Sequence, residues 1–471
     1  MKIGKIISAL TCVLLTAVLL CIPAAAAKAK GAVSLDKTSV SVEEGKTVTL
    51  KAKVTGISKY TLIWSSDRKD ICTVDQKGKI TGVNVGSAVV SAKIKGKNIS
   101  AKCKVTVTAA SDKSTPDKVM PFNKTMTSKE LVTAMQAGIN IGNSLDAYNH
   151  WDYSGIYNGG LESETVWGNP AVNKKLIASI RKKGFKTVRI PVTWHNHMDN
   201  NFNIDANWMA RVKEVVNYAI DNDMYVILNM HHDNEFYDIE EALASQSDYR
   251  QIEKRFVKAW SQIGNAFSGY DEHLIFESMN EPRHLDSELE WMGGTADERK
   301  IVNDLNAAFV KEIRSQGGNN LFRFLMIPDY AASSSYEAIN GVVIPNDKRI
   351  ILSIHAYAPY DLAMNGDGHT DFSASDKAEL DSIFKLLDER FISRGVPVVI
   401  GEMGITDKNN PADRIAWTEY YVKNARKYGM TCIWWDNGQN GTGEDNFGII
   451  DRSTGKFYNE KIADAFVKNS K

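Results

Sequence analysis

The sequence predicts an α/β fold, a (β/α)8 barrel preceded by a small β-sandwich, and three observations carry this prediction. Downstream of residue 118, eight almost entirely apolar runs alternate with segments of helical period, as buried parallel strands and crossover helices do. Residues 32–108 instead show short runs with apolar residues at every second position, separated by glycine-containing turns, which is typical of an antiparallel sandwich. Residues 109–118, AASDKSTPDK, are small and polar and form the predicted linker.

The first 27 residues have the pattern of an export signal. Lys2 and Lys5 precede an apolar run over residues 6–23, and a stretch of alanines ends at Ala27. A basic start, an apolar middle and a small-residue cleavage site are typical of a secretory signal peptide. An uncleaved membrane anchor is the alternative, although hydroxyl residues interrupt the run. We therefore expect a bacterial protein that is secreted and that in part associates with the cell surface.

Two cysteines of the sandwich region are predicted to face its interior. Cys72 is in phase with Val74, and Cys103 is in phase with Val105 and Val107. In an oxidising compartment the two could form a disulfide across the sandwich, and we favour this over two free buried thiols. The chain has no C-x-x-C and no Cys/His cluster, so a structural zinc site is not expected.

The charge of the chain is balanced overall but uneven along its length. There are 57 Lys and Arg against 57 Asp and Glu, which argues against nucleic acid as a partner. Residues 32–108 carry 14 basic and 6 acidic residues, whereas residues 109–471 carry 39 and 51. The basic module could contact an anionic bacterial cell wall, or its charges could simply be solvated.

The barrel region, residues 119–471, is assigned from its apolar and helical periods. The predicted strands cover residues 137–143, 187–191, 225–230, 274–279, 322–328, 349–355, 397–402 and 431–435. The predicted helices cover residues 174–183, 208–222, 251–267, 298–316, 335–340 (a helix or a turn), 377–395, 412–428 and 459–467.

Barrels of this class place their active sites at the carboxyl ends of the strands. The residues that follow the eight apolar runs therefore form one candidate site. In strand order they are Asn143 and Asp146; Arg189 and Trp194; His231, His232 and Asp233; Asn280, Glu281 and Arg283; Asp329 and Tyr330; His355 and Tyr357; Glu402; and Trp434, Trp435 and Asp436. No glycine-rich phosphate loop accompanies them in the sequence.

Glu281 and Glu402 are the strongest candidates in this set. Each follows an apolar run that should be buried, so neither is an ordinary surface charge. Cleavage of a glycosidic bond needs one carboxylic acid to protonate the leaving oxygen and one carboxylate at the anomeric face. Arg189 should keep the nucleophile ionised, while an apolar setting and the second negative charge should keep the acid protonated.

The barrel region resembles glycoside hydrolase family 5 of clan A over residues 119–471. The motifs that carry the resemblance are NIGNSLDA, ETVWGNP, TVRIPVTW, ILNMHHD, FESMNEP, SIHAYAP, IGEMG and WWDNG. The first two are most similar to subfamily 4, which is rich in endo-β-1,4-glucanases, some of them also acting on xyloglucan and mixed-linkage glucan. Residues 32–108 resemble bacterial Ig-like group 2 domains, through VSVEEGKTVTLKA, IWSSDRKDICTVDQKGKITGVNVGSAVVSA and CKVTV.

The resemblance implies a role for each candidate residue. Glu281 would be the acid/base and Glu402 the nucleophile of a retaining double displacement, with carboxyl groups about 5 Å apart. Asn280 would bind the 2-hydroxyl of the sugar, and Arg189 and Tyr357 would hold Glu402 in position. His231 and His355 would bind sugar hydroxyls or tune the acid, and Trp435 would stack on the sugar ring while Trp434 lies in the core. Further candidates for substrate contact are His232, Asn143, Trp167 and Trp194.

Several alternatives remain open at this stage. His231, His232 and Asp233 could ligate a metal, but the Glu pair favours an enzyme without metal or cofactor. The barrel could also be an inactive polysaccharide-binding surface protein. Within the enzyme class, xyloglucanase, lichenase or mannanase activity are alternatives to cellulase, because loops rather than the catalytic pair decide specificity. We expect a monomer acting on a β-glucan substrate.

Overall fold

The computed structural model describes residues 31–43, 45–69, 71–83, 86–108, 119–148 and 160–471. The chain divides into two compact units, Met1–Ser111 and Asp112–Lys471. The predicted signal peptide and the predicted linker lie outside the described residues. Within the ranges given, no helix is both long and apolar enough to cross a membrane.

The first unit consists of short strands around a small apolar core. They are β1 (Ala32–Leu35), β2 (Ser39–Glu43), β3 (Thr47–Thr49), β4 (Ala52–Thr55), β5 (Leu62–Ser66), β6 (Cys72–Val74), β7 (Lys79–Gly82), β8 (Gly86–Ile94) and β9 (Ser100–Thr108). They form three sheets, with strand orders β1-β4, β2-β9-β8-β5 and β3-β7-β6. The predicted strand-rich module is confirmed, although β2 and β9 pair in parallel and not in the expected antiparallel sense.

The expected disulfide between Cys72 and Cys103 is wrong, because both residues are free thiols. Both point inward, as their phase indicated, and both are fully buried. They lie in different sheets, and the Sγ of Cys72 contacts Ser66 Oγ at 3.5 Å. The Sγ of Cys103 faces the Lys104 carbonyl at 3.6 Å. Phase along a strand determines the side on which a thiol lies, but a disulfide also needs Cα atoms closer than about 7 Å.

The second unit contains a closed barrel of eight parallel strands, which confirms the predicted fold class. The strands are β10 (Gly138–Asn140), β11 (Thr187–Ile190), β12 (Tyr225–Asn229), β13 (Leu274–Glu277), β14 (Leu325–Ser333), β15 (Ile350–His355), β16 (Val398–Met403) and β17 (Thr431–Trp434). They pair in chain order, and β17 closes on β10 through the pairs Gly138–Ile433 and Ile139–Trp434. All eight carboxyl ends therefore meet at one rim.

The helices are α1 (Ser128–Met135), α2 (Lys174–Lys183), α3 (Ala206–Ile220), α4 (Ile239–Ala244), α5 (Gln246–Ala266), α6 (Ala296–Ser315), α7 (Tyr336–Gly341), α8 (Tyr360–Ala363), α9 (Ala374–Arg390), α10 (Pro411–Lys427) and α11 (Glu460–Asn469). Local capping explains where several begin. In α6, for example, Thr295 and Glu298 each bond the other's backbone N–H, which satisfies two of the helix's otherwise unpaired donors.

Helix α1, which the sequence analysis missed, closes the amino end of the barrel. Its Leu131, Val132 and Met135 pack on the lowest inward side chains of the strands, such as Ile275 and Ile433. Thr187 and Thr431, also inside the barrel, donate hydroxyl hydrogen bonds to carbonyls of α1 at 2.7 and 2.5 Å. The floor of the barrel is therefore covered and mostly apolar, its two threonine hydroxyls are bonded to α1, and the charged inward side chains lie in the layers above it.

Candidate active site

Arg189, on β11, is the centre of the polar layer above the floor. Its side chain is completely buried. The guanidinium bonds Glu277 Oε2 at 2.7 Å, Glu402 Oε1 at 2.6 Å and Asn280 Oδ1 at 2.7 Å. Burial alone would lower the pKa of Arg189, but the carboxylates of Glu277 and Glu402 raise it well above its ordinary value. Arg189 is therefore a permanent cation that holds side chains from β13, β16 and the turn after β13.

Glu402, on β16, points into the same layer because its strand contains a bulge. Strict alternation after Val399 would bring Gly401 inward and turn Glu402 outward. The pairing with β15 shifts register between Ile354 and His355, so that His355 pairs with Glu402. Bulges next to active sites commonly re-aim one side chain.

Both oxygens of Glu402 accept hydrogen bonds. Arg189 donates to Oε1, and the Tyr357 hydroxyl donates to Oε2 at 2.8 Å. Burial, followed by the charges of Glu402 and Glu281, raises the pKa of Tyr357 well above its ordinary value, so the phenol keeps its proton. Two donors on one buried carboxylate fix its orientation.

Glu281 lies in the turn after β13, opposite His355. The Nδ1 of His355 is 2.7 Å from Glu281 Oε1, and an Arg189 nitrogen is 3.5 Å from the other ring nitrogen of His355. Nδ1 of His355 is therefore placed to donate a hydrogen bond to the Glu281 carboxylate.

The expectation that Glu281 is held protonated is wrong for the free enzyme. Burial raises the pKa of Glu281, but the hydrogen bond and charge of His355, followed by the charges of Arg283 and Arg189, outweigh burial and lower it below its ordinary value. The sequence indicated the apolar setting, but it did not indicate that a histidine and two arginines would converge on the same carboxyl.

The two glutamates face each other across a short gap. One oxygen of Glu281, one oxygen of Glu402 and one nitrogen of His355 all lie within 4.8 Å of one another. Retaining glycosidases place their carboxyl groups about 5–5.5 Å apart, and inverting enzymes place them about 6.5–9.5 Å apart to admit a water. The geometry corresponds to the shorter class.

An aromatic wall stands beside the pair. The Trp435 ring, half-buried, lies parallel to the His231 ring with centroids 5.7 Å apart and an interplanar angle of 2°. A Cβ on Gly142 would lie 2.6 Å from the indole, so only glycine allows this approach. Burial, followed by the charge of His232, lowers the pKa of His231 well below its ordinary value. A neutral imidazole beside an indole face is suited to bind sugar hydroxyls.

The remaining residues predicted from the carboxyl ends of the strands lie either at the rim of the site or in the core. His232 is partly exposed, with Nε2 3.6 Å from Asp146 Oδ2, and Asn143 donates its backbone N–H to the same oxygen. Trp434 and Trp194 are core residues, whereas Trp167 is half-buried and its ring centroid lies 5.4 Å from that of His232. Trp434 therefore lies in the core, as the alternation of β17 indicated.

The sequence analysis missed three residues of the site: Glu277, Ser353 and Asn140. Glu277 is fully buried, pairs with Arg189 and accepts from Ser353 Oγ at 2.5 Å. Asn140 accepts from Arg189 at 3.0 Å and donates to the Gly401 carbonyl at 3.0 Å. A polar residue at an inward position of an otherwise apolar strand was the signal that could have identified each of them.

Two groups of possible metal ligands occur among the described residues. Besides the Glu281, His355 and Glu402 group, Asp146, His231 and His232 bring three ligand atoms within 4.8 Å of one another. The Asp146 oxygens already accept the backbone N–H groups of Asn143 and Ser144 at 3.0 and 2.8 Å. Hydrogen bonding thus accounts for the position of this carboxylate. Asp233, the third residue of the alternative metal set, instead bonds His195 Nδ1 at 2.8 Å.

Both units of the chain are similar to known proteins. Residues 152–441 match the family model described as Cellulase (glycosyl hydrolase family 5), and residues 31–105 match that of the bacterial Ig-like domain (group 2). The chain is 43% identical over 347 residues to Endoglucanase A of Clostridium longisporum, covering 73% of this chain and 66% of that protein. It is 38% identical over 389 residues to the Cellulase/esterase CelE of Acetivibrio thermocellus, covering 82% of this chain and 45% of that protein.

Solved structures give the same picture for the barrel. A GH5-4 broad specificity endoglucanase from Clostridium acetobutylicum is 42% identical and superposes with a TM-score of 0.68, covering 73% of this chain and 99% of that one. The chain spans less than two thirds of the length of the two curated relatives named above, whereas it spans nearly all of this structure.

Proposed function

The chain belongs to glycosyl hydrolase family 5, and from this membership we propose that it is an endo-β-1,4-glucanase that cleaves internal bonds of plant cell-wall β-glucan with retention of configuration. One observation carries the mechanistic part of this proposal. One oxygen of Glu281 and one oxygen of Glu402 lie within 4.8 Å of each other, a gap that suits direct attack by a carboxylate better than attack by an interposed water.

In the first step, Glu402 is the nucleophile. Its carboxylate attacks the anomeric carbon while Glu281 gives its proton to the glycosidic oxygen, so the leaving chain departs with a new hydroxyl. A glycosyl ester of Glu402 remains. Arg189 and Tyr357 hold the attacking carboxylate in place, and Asn280, bound to Arg189, is positioned for the 2-hydroxyl of the sugar.

In the second step, Glu281 changes from acid to base. It removes a proton from a water molecule, the water oxygen attacks the anomeric carbon, and the ester bond to Glu402 breaks. The Glu402 carboxylate and the Glu281 acid are both regenerated, so the cycle closes.

The proton of the first step belongs to Glu281 and His355 as a coupled pair. In the free enzyme, His355 favours the ionised form of Glu281 through the contact of 2.7 Å. Filling the cleft with sugar removes water and increases the cost of charge on Glu281, which favours the protonated form needed for leaving-group protonation.

The activity is tested by release of reducing ends from carboxymethyl-cellulose. Glu402→Gln should lower kcat by about four orders of magnitude, because the amide cannot form the ester intermediate. Glu444→Gln, on an exposed loop, is the matched control and should retain wild-type activity. Wild-type protein that is inactive on every β-glucan tried would overturn the proposal, and an active Glu402→Gln variant would overturn the assigned nucleophile.

The stereochemical outcome is tested separately. Proton NMR of cellohexaose hydrolysis should show the β-anomer as the first new reducing end, with the α-anomer appearing later by mutarotation. If the α-anomer appears first, the enzyme is inverting and Glu402 is not a nucleophile.

The preferred glucan is left to a substrate screen. Cellulose derivatives, xyloglucan, lichenan and mannan should be compared at equal enzyme concentration, with the β-1,4-glucan expected to give the highest kcat/KM. A higher value on xyloglucan, lichenan or mannan would transfer the proposal to that activity, because the catalytic pair serves each of these substrates equally.

The site of action is proposed from the amino-terminal residues. The basic and apolar pattern of residues 1–27 supports export followed by cleavage near Ala27. Amino-terminal sequencing of protein from the culture medium should give a sequence that begins shortly after Ala27.

The surplus of basic residues over 32–108 supports contact with an anionic bacterial wall. Wall binding should weaken as salt is raised, and salt-independent binding would exclude an electrostatic contact.

A further inference from the structure

Five asparagines of the chain are followed directly by glycine, and this dipeptide is chemically labile. The backbone nitrogen of the glycine can attack the side-chain amide of the asparagine, because glycine has no Cβ to hinder the approach. The pairs are Asn158-Gly159, Asn340-Gly341, Asn365-Gly366, Asn437-Gly438 and Asn440-Gly441. The first pair lies outside the described residues, and the surroundings of the other four differ.

Two conditions decide how fast such an asparagine reacts in a folded protein. Its side chain must rotate until the amide carbon, Cγ, lies beside the next backbone nitrogen, and that nitrogen must be free to lose its proton. A hydrogen bond to either group has to open first, which slows the reaction according to the free energy of local opening. The hydrogen bonds around the four described pairs therefore determine their order of reactivity.

Asn340 and Asn437 are held by the fold. Asn340 lies in helix α7, where its amide donates to the Tyr336 carbonyl at 2.7 Å. The helical ψ also keeps the next backbone nitrogen away from the side chain. Asn437 is only 5% exposed, and its amide donates to the Asp445 carbonyl at 2.6 Å and accepts the Gln439 N–H at 3.1 Å. Neither side chain can rotate without losing these bonds.

Asn365 is also held, although it lies in a loop. Its amide nitrogen donates to Asp361 Oδ1 at 2.8 Å, and its amide oxygen accepts the Asp367 N–H at 3.1 Å. The Gly366 nitrogen, which would have to attack, donates to Glu444 Oε1 at 3.2 Å. Both reacting groups of this pair are therefore engaged.

Asn440 differs from the other three in each respect. Asn440 and Gly441 are both exposed, in the loop between β17 and α11. Among the residues that the structure describes, neither the Asn440 side chain nor the Gly441 backbone nitrogen has a hydrogen-bond partner. The atoms nearest to a Cβ placed on Gly441 belong to the Asn446 side chain, the closest at 3.2 Å, so no neighbouring backbone crowds the reacting pair.

We propose that Asn440 is a site of spontaneous deamidation in the folded protein. The Gly441 nitrogen forms a bond to Asn440 Cγ, the bond from that carbon to the side-chain nitrogen breaks, and ammonia leaves with the proton of the backbone amide. Water then opens the cyclic imide to give aspartate or isoaspartate. Either product adds negative charge to a loop that already contains Glu444 and Asp445. The inference does not depend on the proposed function.

The test is incubation of the purified protein at mildly alkaline pH, followed by digestion with trypsin and mass spectrometry. Each event raises the mass of a peptide by the difference between oxygen and NH. Asn365 lies in the peptide of residues 350–377, and fragment spectra separate Asn440 from Asn437 within residues 428–452. Asn440 should react about tenfold faster than Asn365 or Asn437, because only the latter two need local opening.

Two variants and an unfolded sample complete the experiment. Asn440→Gln should remove the early acidic product seen by isoelectric focusing, and Gly441→Ala should slow its appearance, because the added methyl group hinders attack. In concentrated urea, where the hydrogen bonds of Asn365 are lost, Asn365 should react nearly as fast as Asn440. Persistence of Asn440 in the folded protein, or equal rates at Asn440 and Asn365 there, would overturn the proposal. An unchanged difference in urea would also overturn it, because the fold would then not control the rates.

Discussion

Among the described residues of the barrel unit, two arginines are completely buried, one at each end of the barrel, and their hydrogen-bond partners differ in kind. Arg189, towards the carboxyl end, is paired with the carboxylates of Glu277 and Glu402. Arg323, just before β14 at the amino end, donates to the carbonyls of Phe267, Tyr270, Asp271 and Leu274 and to the Asn320 side chain.

The difference separates a stabilising role from a catalytic role. Carbonyls give Arg323 hydrogen bonds without a full opposing charge, and burial lowers its pKa. It ties the segment before β13 to the start of β14. Arg189 instead neutralises buried acids whose own burial would be costly without it. We infer that buried polar groups at the amino end of the barrel stabilise the fold. The buried charges at the carboxyl end are needed for activity and not for stability.

The strongest test of this comparison is Arg189→Lys. A lysine keeps the charge, but it cannot bond Glu277, Glu402 and Asn280 together from one planar group. We expect kcat on carboxymethyl-cellulose to fall by about a thousandfold. The free energy of unfolding should change little. Activity within tenfold of wild type would contradict the central role of Arg189.

The second test is Glu277→Gln, which removes the counter-charge of Arg189 with little change of shape. The uncompensated cation should further lower the pKa of Glu281, so the acid would lose its proton at lower pH. We expect kcat to fall by about tenfold and the alkaline limb of the kcat/KM profile to move to lower pH. A uniform loss without movement of that limb would mean that Glu277 has only a structural role.

The third test, Arg323→Met, addresses the amino end. It leaves several buried carbonyls without donors, so we expect a loss of about 3 kcal/mol in the free energy of unfolding. The folded enzyme should keep a kcat within twofold of wild type, because Arg323 contacts no residue of the site. Urea unfolding followed by tryptophan fluorescence measures the first quantity. A large loss of kcat in the folded state would remove the contrast between the two ends.

The smallest expected effect comes from Asp329, a buried acid on β14. Neither oxygen has a hydrogen-bond partner from another side chain among the described residues, and burial raises the pKa of this carboxyl well above its ordinary value. The folded protein therefore holds a proton that the unfolded chain releases from about pH 4 upwards. Wild-type stability should accordingly fall as pH rises through that range.

Asp329→Asn has no proton to lose and should be more stable than wild type by about 2 kcal/mol at pH 7, with the difference shrinking towards pH 4. Thermal unfolding at pH 4, 5.5 and 7 measures this. Parallel Tm curves for the two proteins would show that Asp329 is not held in its neutral form.

Much of the barrel could be predicted from the sequence. Every predicted strand overlaps an observed one. The strands are recognisable in the sequence because parallel strands that are buried on both faces form continuous apolar runs. Helix α1 was missed because it precedes the first strand and its packing surface exists only once the barrel has closed. Strand β14 runs to Ser333 through two residues of positive φ, Ala331 and Ala332, which no local pattern indicated.

The sequence by itself determined which side chains can reach the site, because chain order and strand period place each residue at a barrel end. It therefore predicted Glu281, Glu402, Arg189, His355 and Tyr357 as one group. Only the tertiary structure decided how they interact. The bulge that turns Glu402 inward, the lowered pKa of Glu281 and the separate surroundings of Cys72 and Cys103 all depend on distances between strands remote in sequence. Electrostatic and covalent interactions vary steeply with such distances, whereas the hydrophobic pattern that specifies the fold does not.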